Sequence, residues 1–403
     1  MTAPSTLSLQ WHKSMASIPR EEWNRLSTPL QNPLLSWDWL HLLETSGAVR
    51  TRTGWTPSHV TLWRERRLVA AAPLYLRHNS WGDYIFDQVW AEVAERIGLG
   101  YYPKLVGACP FSPVPGYRFL LDPAENEQHL TTRILRSIHT MAVKRGISGC
   151  HFHFVDPEWK PLLEHCDYLA WVQPGFLWHN DAFKSFEDFL SRFHRNQRRN
   201  IRRELRKPAE LGIETRIVPA DQAPEQFFTR MYAMYRKTAR QFGRWGCHFL
   251  TPQFFLELSQ NKELCRNLLF TAGFERHGSG KPIALSLLIR KGNTLLGRYW
   301  GCLKDYDALH FNLCYYLPIQ WAIDHGIAFF DPGMGGEHKS RRGFCAVANH
   351  SLHRFFPRPL MALFRQHIEA INRHQREGIA TLNATAPYVF ANSQRQWPVE
   401  EKN

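Results

Sequence analysis

A short stretch near the carboxyl end of the chain combines residue types that bind anions and transfer protons. Residues 329–344 have the sequence FFDPGMGGEHKSRRGF. Its glycines permit positive φ and leave the backbone bare, so that amide groups can approach a substrate closely. Its cations suit phosphate or carboxylate, and its glutamate and histidine can transfer protons. The candidate residues are Gly335, Gly336, Glu337, His338, Lys339, Arg341 and Arg342. An ordinary charged surface turn is the alternative.

Two predicted strands would position this stretch. IAFF (327–330) is a short apolar run typical of a strand buried on both faces, and ligands bind at the carboxyl ends of such strands. In LLGRYWG, Arg298 alternates with two apolar residues and shares a strand face with them. A guanidinium in that position needs a partner, for which Asp331, Glu337 or a ligand phosphate are the candidates, unless it reaches water at an open sheet edge.

A strongly basic helix is predicted over residues 186–207, FEDFLSRFHRNQRRNIRRELRK. Its apolar residues recur at multiples of four and give it one face that can pack. Glu204 is its only acid after residue 191, so the like charges favour an anionic ligand such as polyphosphate or nucleic acid. The candidate anion-binding residues are Arg195, Arg198, Arg199, Arg202 and Arg203. A solvated arginine face is the alternative.

The composition fits a basic, globular protein of two domains. The chain has 403 residues, 44 % of them hydrophobic, and a formal net charge of +14, which favours anionic partners. Its eight cysteines form no CxxC pair and no zinc spacing, which is typical of reduced cysteines in a cytosolic protein. Neither a signal peptide nor an apolar run of membrane-spanning length is evident, so we expect a cytoplasmic protein without stable membrane insertion.

Helical and strand patterns alternate along the chain and predict an α/β fold. Two predicted strand pairs, at 59–79 and 281–301, occupy similar places in the two halves, which indicates one α/β unit used twice. We therefore expect an N-terminal domain over 1–180 and a C-terminal, catalytic domain over 181–403. The predicted helix 308–326 contains Pro318, which must bend or split it.

Several reaction classes lack their motifs. There is no GxSxG elbow, P-loop or strand-to-helix GxGxxG, and His310 and Cys314 have no third ligand spaced to join them, so no metal is predicted. Direct transfer between two bound substrates fits better, because it needs positioning and proton transfer but no protein nucleophile.

Longer motifs resemble the FemAB-like predicted N-acyltransferases. The similar segments include GRYWGCLKDYDALHFNLCYY (297–316), AIDHGIAFFDPGMGGEHKSRRGF (322–344), YYPKLVGACPFSPVPG (101–116) and RRNIRRELRK (198–207). The resemblance covers most of residues 32–355. It implies two tandem GNAT-like domains with mixed central sheets flanked by helices, and transfer of an acyl or aminoacyl group to an amine.

The resemblance carries over a set of site positions: Arg298, Tyr299, His310, Glu337, His338, Lys339, Arg342 and Gly343. The family pattern LHFE reads LHFN here, which places Asn312 where an acid is usual. SRRGFCA does not match the acetyl-CoA loop, because Ser340 stands at its Arg or Gln position. This mismatch weakens the case for coenzyme A and leaves room for an aminoacyl-tRNA. The expected donor is acyl-CoA or an aminoacyl-tRNA.

We expect an N-acyltransferase in which Glu337, with His338, removes a proton from the attacking amine. Arg298 or backbone amides would stabilise the oxyanion. Tyr299, His310, Asn312, the turn glycines and the three cations would bind substrate. The alternative is a catalytically silent relative that holds tRNA or a phosphorylated envelope precursor, and Asn312 is the residue that favours it.

Overall fold

Strands and helices alternate through both halves of the computed structural model, which describes residues 6–30, 32–241 and 249–390. Contacts divide the chain into a first unit, residues 1–173 with 349–376, and a second unit, residues 174–348 with 377–403. These contact-defined units do not test the expected division into domains 1–180 and 181–403, which stays a prediction.

The elements up to residue 179 alternate as the sequence patterns indicate. They are β1 (Leu7–His12), α1 (Arg20–Ser27), α2 (Trp37–Thr45), β2 (Trp55–Pro57), β3 (His59–Arg64), β4 (Arg67–Ala72), β5 (Leu74–Arg77), α3 (Gln88–Arg96), β6 (Lys104–Gly107), β7 (Leu120–Leu121), α4 (Glu127–Lys144), β8 (Gly149–Phe152), α5 (Lys160–His165) and β9 (Leu169–His179). In the first unit β1, β3, β4 and β7 form an antiparallel sheet, and a second sheet contains the parallel pair β6–β8.

The remaining elements repeat this alternation. They are α6 (Phe186–Ser191), α7 (Arg195–Glu210), β10 (Ile213–Pro219), α8 (Glu225–Gln241), α9 (Pro252–Gln260), α10 (Lys262–Cys265), β11 (Leu268–Glu275), β12 (Ala284–Lys291), β13 (Thr294–Cys302), α11 (Leu309–Phe311), α12 (Leu317–Asp324), β14 (Phe329–Asp331), β15 (Cys345–Phe355) and α13 (Arg358–Ala384). In the second unit β10, β11, β12, β13, β14 and β9 are neighbours in that order, and only β13–β14 is a parallel pair among them.

The basic segment differs from the single helix predicted over 186–207. It is broken between α6 and α7, where the backbone pairs with a distant segment instead of continuing the helix. The amide of His194 donates to Pro387, and the carbonyl of Arg192 accepts from Val389. Phe193 enters the aromatic core beside Tyr388, with 4.7 Å between ring centroids. Burial of Phe193 and these backbone bonds replace one turn of helix.

The interior of the first unit contains four buried charges that balance one another. Arg77 and Lys104 are fully buried, and each lies 2.9 Å from a different oxygen of Asp83. The Lys104 ammonium also lies 2.5 Å from Asp87, and despite burial it holds the pKa of that carboxyl well below its usual range. Replacing one member of such a pair by a neutral residue destabilises the fold, because the other charge would be left buried and unpaired.

Three buried histidines on the same side of this unit should make the protein sensitive to acid. Burial and the Lys104 charge lower the pKa of His151 and His153 far below the usual value; burial lowers that of His353 to about 3, although Asp87 opposes the shift. The unfolded chain binds these protons near pH 6.5, so the free energy of unfolding should fall below that pH by about 1.4 kcal/mol per pH unit for each histidine.

Urea unfolding between pH 7 and pH 5 would measure this slope. His153→Gln should reduce the slope, whereas replacement of the exposed His129 by Gln should not. Equal stability at both ends of this pH range would contradict the prediction.

Candidate active site

The candidate site forms where the parallel pairing of β13 and β14 ends. Leu296 on β13 is opposite Asp331, the last residue of β14. The chain then turns through Gly333, whose amide donates to the Asp331 carboxylate at 2.6 Å. The predicted buried strand and the glycine turn at its carboxyl end are therefore both present, in the position where open α/β sheets bind ligands.

Asp331 is buried beneath this turn. Burial raises the pKa of its carboxyl to about 6, although the Gly333 amide and the charges of Arg298 and Lys339 act in the opposite direction. Arg298, which the sequence placed on an apolar strand face, thus lies within electrostatic reach of Asp331, one of its predicted partners.

Lys339 closes the glycine turn from the inside. Its buried ammonium donates to the carbonyl of Gly333 at 2.8 Å, to that of Met334 at 3.1 Å and to that of Gly335. Burial lowers the pKa of this lysine to about 8. Three carbonyl acceptors satisfy the three ammonium protons, so Lys339 holds the turn in shape.

His338 lies in the short helical turn Glu337–Arg342, and its ring faces inward. The Nε2 atom lies 3.0 Å from the hydroxyl of Tyr315, and the ring centroid lies 5.7 Å from that of Phe311 and 6.2 Å from that of His310. Burial, together with the charges of Arg342 and Lys339, lowers the pKa of His338 to about 4. The imidazole is therefore neutral at pH 7 and has one unprotonated ring nitrogen, although the lowered pKa makes it a weaker base than an ordinary histidine.

The two neighbouring charged residues of the turn face the solvent instead. Glu337 and Arg341 are both exposed. The backbone carbonyl of Arg341 accepts from the Gln197 side chain on α7 at 2.8 Å. Of the two predicted proton-transfer residues, only His338 has its side chain held among other side chains of the site.

Arg342 is buried and connects the turn to α7. It donates to the His338 carbonyl at 2.9 Å and to the Glu204 carboxylate at 2.8 Å. Its guanidinium lies 3.4 Å from the ring centroid of Phe311. Glu204 also accepts from the hydroxyl of Tyr316.

The helix behind these residues widens into a π-turn over Asn312–Tyr316, between α11 and α12. Pro318 follows it, and its missing amide and its ring are incompatible with a regular α-helical bond to residue 314. The hydroxyl of Thr271 donates to the carbonyl of Leu313 at 2.6 Å. The helix continues through residues 309–324 with this π-turn inside it, and the wider turn directs Tyr315 and Tyr316 toward His338 and Glu204.

Asn312 is buried and uses its amide as a donor. Its Nδ2 atom lies 2.8 Å from the carbonyl oxygen of Glu204 and 2.9 Å from that of Ala308. An ionised carboxylate could not donate to either carbonyl. Asn312 therefore ties α11 to α7 in a way that an acid at this position could not.

Replacement of Asn312 by Asp should therefore destabilise the protein. The change removes two buried hydrogen bonds and leaves acceptors facing acceptors, which should cost about 1–3 kcal/mol of unfolding free energy. Urea unfolding at neutral pH is the measurement. Asn196→Asp, on the exposed face of α7, is the matched control; an equal loss in both variants would contradict the prediction.

The other predicted substrate-binding residues divide into two groups. His310 lies beside Trp300, with 5.1 Å between ring centroids, and burial lowers its pKa to about 3. It joins the His338 cluster. Tyr299 instead packs among the rings of Tyr235 and Phe255, at 5.8 and 6.2 Å. The structure does not bring Tyr299 to His338.

The arginines of α7 are mostly on its outer face. Arg202 pairs with Glu187 at 2.6 Å, and Arg198 donates to the carbonyl of Ser191 at 3.5 Å. The others are exposed and have no acidic partner among the residues that the structure describes: Arg195, Arg199, Arg203 and Arg206. We call these four residues the arginine face.

Sequence reasoning did not include Glu204, Tyr315 and Tyr316 in the site. Glu204 had a signal, since it is the single acid in a run of cations. The tyrosines had none, because an apolar helix rich in aromatics predicts only packing. Within the described residues, no group of three or more histidine, cysteine or acidic side chains is arranged to hold a metal ion.

Comparisons with known proteins agree with this fold. The model of the FemAB-like family, described as peptidoglycan biosynthesis/recognition, matches residues 14–389. No curated protein sequence matches significantly. The crystal structure of FemX is similar with a TM-score of 0.51 at 12 % identity, covering 88 % of this chain and 99 % of that one.

Two further structures resemble the chain. A conserved protein of unknown function from Bacteroides thetaiotaomicron has a TM-score of 0.50 at 10 % identity, covering 86 % of this chain and 99 % of its own. A tandem GNAT protein from the clavulanic acid biosynthesis pathway has a TM-score of 0.43 at 7 % identity, covering 87 % and 98 %. The predicted fold class, α/β with mixed sheets flanked by helices, is confirmed by the structure and by the likeness to FemX.

Proposed function

The chain belongs to the FemAB-like family of peptidoglycan biosynthesis/recognition proteins, and on that premise we propose that it is an N-acyltransferase. It would transfer an acyl or aminoacyl group from an anionic donor directly to an amine. The observation that carries this proposal is His338, an imidazole that stays neutral at pH 7 and is held by Tyr315 at the carboxyl end of an interior strand.

The proposed reaction is aminolysis of an ester or thioester. The lone pair of the acceptor nitrogen attacks the donor carbonyl, the new C–N bond forms, and the C–O or C–S bond to the donor breaks. The attacking nitrogen loses one proton to His338, which returns it to the departing oxygen or sulfur. Arg298 and the amides of the glycine turn would stabilise the negative charge that develops on the carbonyl oxygen.

The role of Glu337 belongs to the same proposal. Its exposed carboxylate is a second group able to accept a proton, and the sequence alone favoured it as the base. The contacts of His338 favour the histidine instead. Arg341, exposed beside α7, would contribute to donor binding, whereas Lys339 and Arg342 would act by shaping the turn.

We propose that the arginine face of α7 binds the donor. From Arg195 to Arg206 the helix rises about 16 Å. A row of cations of that length suits a polyanion better than a single diphosphate, which favours an aminoacyl-tRNA over acyl-CoA as donor.

Replacing the arginine face by glutamine should abolish tRNA binding. For the wild type, the logarithm of affinity should fall linearly with the logarithm of salt concentration, since each phosphate contact releases a counterion. Filter binding of tRNA across salt concentrations is the measurement. Four exposed arginines of the first unit, changed to glutamine together, are the matched control: Arg136, Arg358, Arg365 and Arg373. Equal losses in both quadruple variants would contradict the proposal.

Transfer itself is tested with the purified protein, a peptidoglycan-precursor peptide carrying a free amine, and either labelled aminoacyl-tRNA or acyl-CoA. Mass spectrometry of the peptide detects the product, and also identifies ligands that copurify. Labelled peptide from either donor supports the transferase. Salt-sensitive tRNA binding without product from either donor would instead support the silent binding protein.

We place this activity in the cytoplasm, where both donor classes occur. None of the described helices is long and apolar enough to cross a membrane. The described cysteines are all free, which fits a reducing compartment.

A further inference from the structure

The side chain of Glu204, within the arginine-rich segment, is directed into the protein. It is the only acid between residues 192 and 207. Its carboxylate accepts from the Arg342 guanidinium at 2.8 Å and from the Tyr316 hydroxyl. The side chains of this ion pair are only 6 % exposed for Arg342 and 17 % for Glu204.

Arg342 links Glu204 to His338, the proposed base. The same guanidinium donates to the backbone carbonyl of His338 at 2.9 Å and lies over the Phe311 ring, 3.4 Å from its centroid. Phe311 is itself a neighbour of the His338 ring. Arg342 and Phe311 therefore connect the Glu204 carboxylate to His338.

A second contact joins the same residue of α7 to the helix that carries the tyrosines. The carbonyl of Glu204 accepts from Asn312, which begins the π-turn leading to Tyr315. Tyr315 in turn contacts the Nε2 atom of His338. Both routes from Glu204 reach His338: the side chain through Arg342 to the His338 carbonyl and through Phe311 to the ring, and the carbonyl through the π-turn to Nε2.

From these contacts we infer that Glu204 is a positioning residue that sets the place of the His338 ring and couples it to the arginine face of α7. The inference depends on the proposed function only where it predicts an effect on turnover. The coupling follows because the arginine face and Glu204 belong to one rigid helix, so a polyanion that shifts α7 also shifts the partner of Arg342.

Glu204→Gln is the direct test, since it removes the charge but keeps the shape. Arg342 would lose its ionised partner and release the His338 carbonyl. Glu187→Gln is the matched control, because Glu187 also pairs with an α7 arginine but at the surface. The measurement is ¹⁵N NMR of histidine-labelled protein, with the His338 signals assigned from a His338→Gln sample.

We expect the Nδ1 and Nε2 shifts of His338 to change in Glu204→Gln, which reports a changed tautomer or ring environment, and to be unaltered in Glu187→Gln. A pH titration of the wild type should follow the His338 signals. The titratable and charged groups around this ring are Tyr315, His310, Lys339 and Arg342. Adding tRNA to the wild type should move the same signals, whereas it should not move them in Glu204→Gln. Unchanged His338 signals in a folded Glu204→Gln protein would overturn the inference.

Tyr316→Phe provides a second variant if Glu204→Gln does not fold. It removes one hydrogen bond to Glu204 and keeps the ion pair, so the His338 signals should move in the same direction by less. Unaltered signals here, with Glu204→Gln unfolded, would also overturn the inference.

Turnover separates this inference from the proposed function. If the protein is a transferase, Glu204→Gln should lower kcat by about tenfold or more with little change in the acceptor KM, because misplacement of a catalytic group lowers the rate of the chemical step. If no donor yields product but the NMR response is present, the proposed function fails and the coupling stands.

Discussion

Replacement of His338 by Gln should lower kcat by about 10²–10⁴-fold while changing the acceptor KM little, since the loss of a general base removes a contribution of that size. Glutamine keeps a polar side chain of similar reach but cannot take up a proton at neutral pH. The measurement is steady-state transfer to the amine acceptor. His277→Gln, at an exposed position of the same unit, is the matched control and should retain the wild-type rate.

The pH dependence distinguishes this role from that of an ordinary histidine. Because the pKa of His338 is lowered to about 4, its ring stays neutral and competent well below pH 6.5. Titration of His338 itself should therefore contribute no inflection to the wild-type kcat near pH 6.5, and should lower kcat only as the pH approaches 4. An inflection near pH 6.5 that disappears in His338→Gln would contradict a buried, neutral base.

Glu337→Gln decides between the two proton-transfer residues that the sequence suggested. If His338 is the base, its loss should cost more turnover than the loss of the exposed Glu337 carboxylate. If Glu337→Gln lost more turnover than His338→Gln, the base would be Glu337, and the role proposed for His338 would be contradicted.

Replacement of Gly336 by Ala should have the second-largest effect, because this glycine makes room for the imidazole. A Cβ atom there would lie 2.4 Å from Cε1 and 2.9 Å from Nδ1 of His338. The residue also has φ +84°, which strains an alanine by about 1–3 kcal/mol. The ring must move from its observed position, and we expect kcat to fall by about tenfold or more.

Gly326→Ala separates the effect of strain from the effect of crowding. Gly326 has φ +65° at the end of α12, and a Cβ atom there would meet nothing within 4 Å. Both variants should lose stability in urea unfolding, and only Gly336→Ala should also lose turnover. If Gly336→Ala transferred at the wild-type rate, the imidazole would not be the group that the turn is built to hold.

Local features of the fold could be predicted because their causes lie within a few residues. The hairpin of β12 and β13 follows from two apolar strands around Gly292, and the helical patterns of α4 and α13 follow from their apolar spacing. The glycine turn after β14 was predicted in the same way. Pro318 predicted a bent or split helix; the structure has an irregularity at that place, a π-turn within a continuous helix.

Features that depend on distant residues could not be predicted. The break between α6 and α7 is caused by residues 387–389, nearly two hundred positions away. The cations of the turn were all expected to bind substrate anions, but Lys339 binds the turn's own carbonyls and Arg342 pairs with Glu204. In an irregular turn no periodicity indicates which side chains face inward.

The sequence alone determined the family, the fold class, the presence of a glycine-rich turn after a buried strand, and a helix dense in arginine. These properties are local, because apolar spacing, glycine and net charge act through near neighbours. Only the tertiary structure decided that His338 faces Tyr315, that Glu337 faces solvent and that Glu204 reaches Arg342. Those choices depend on burial and on contacts between distant segments, since a charged side chain turns inward only where the folded chain supplies its partner.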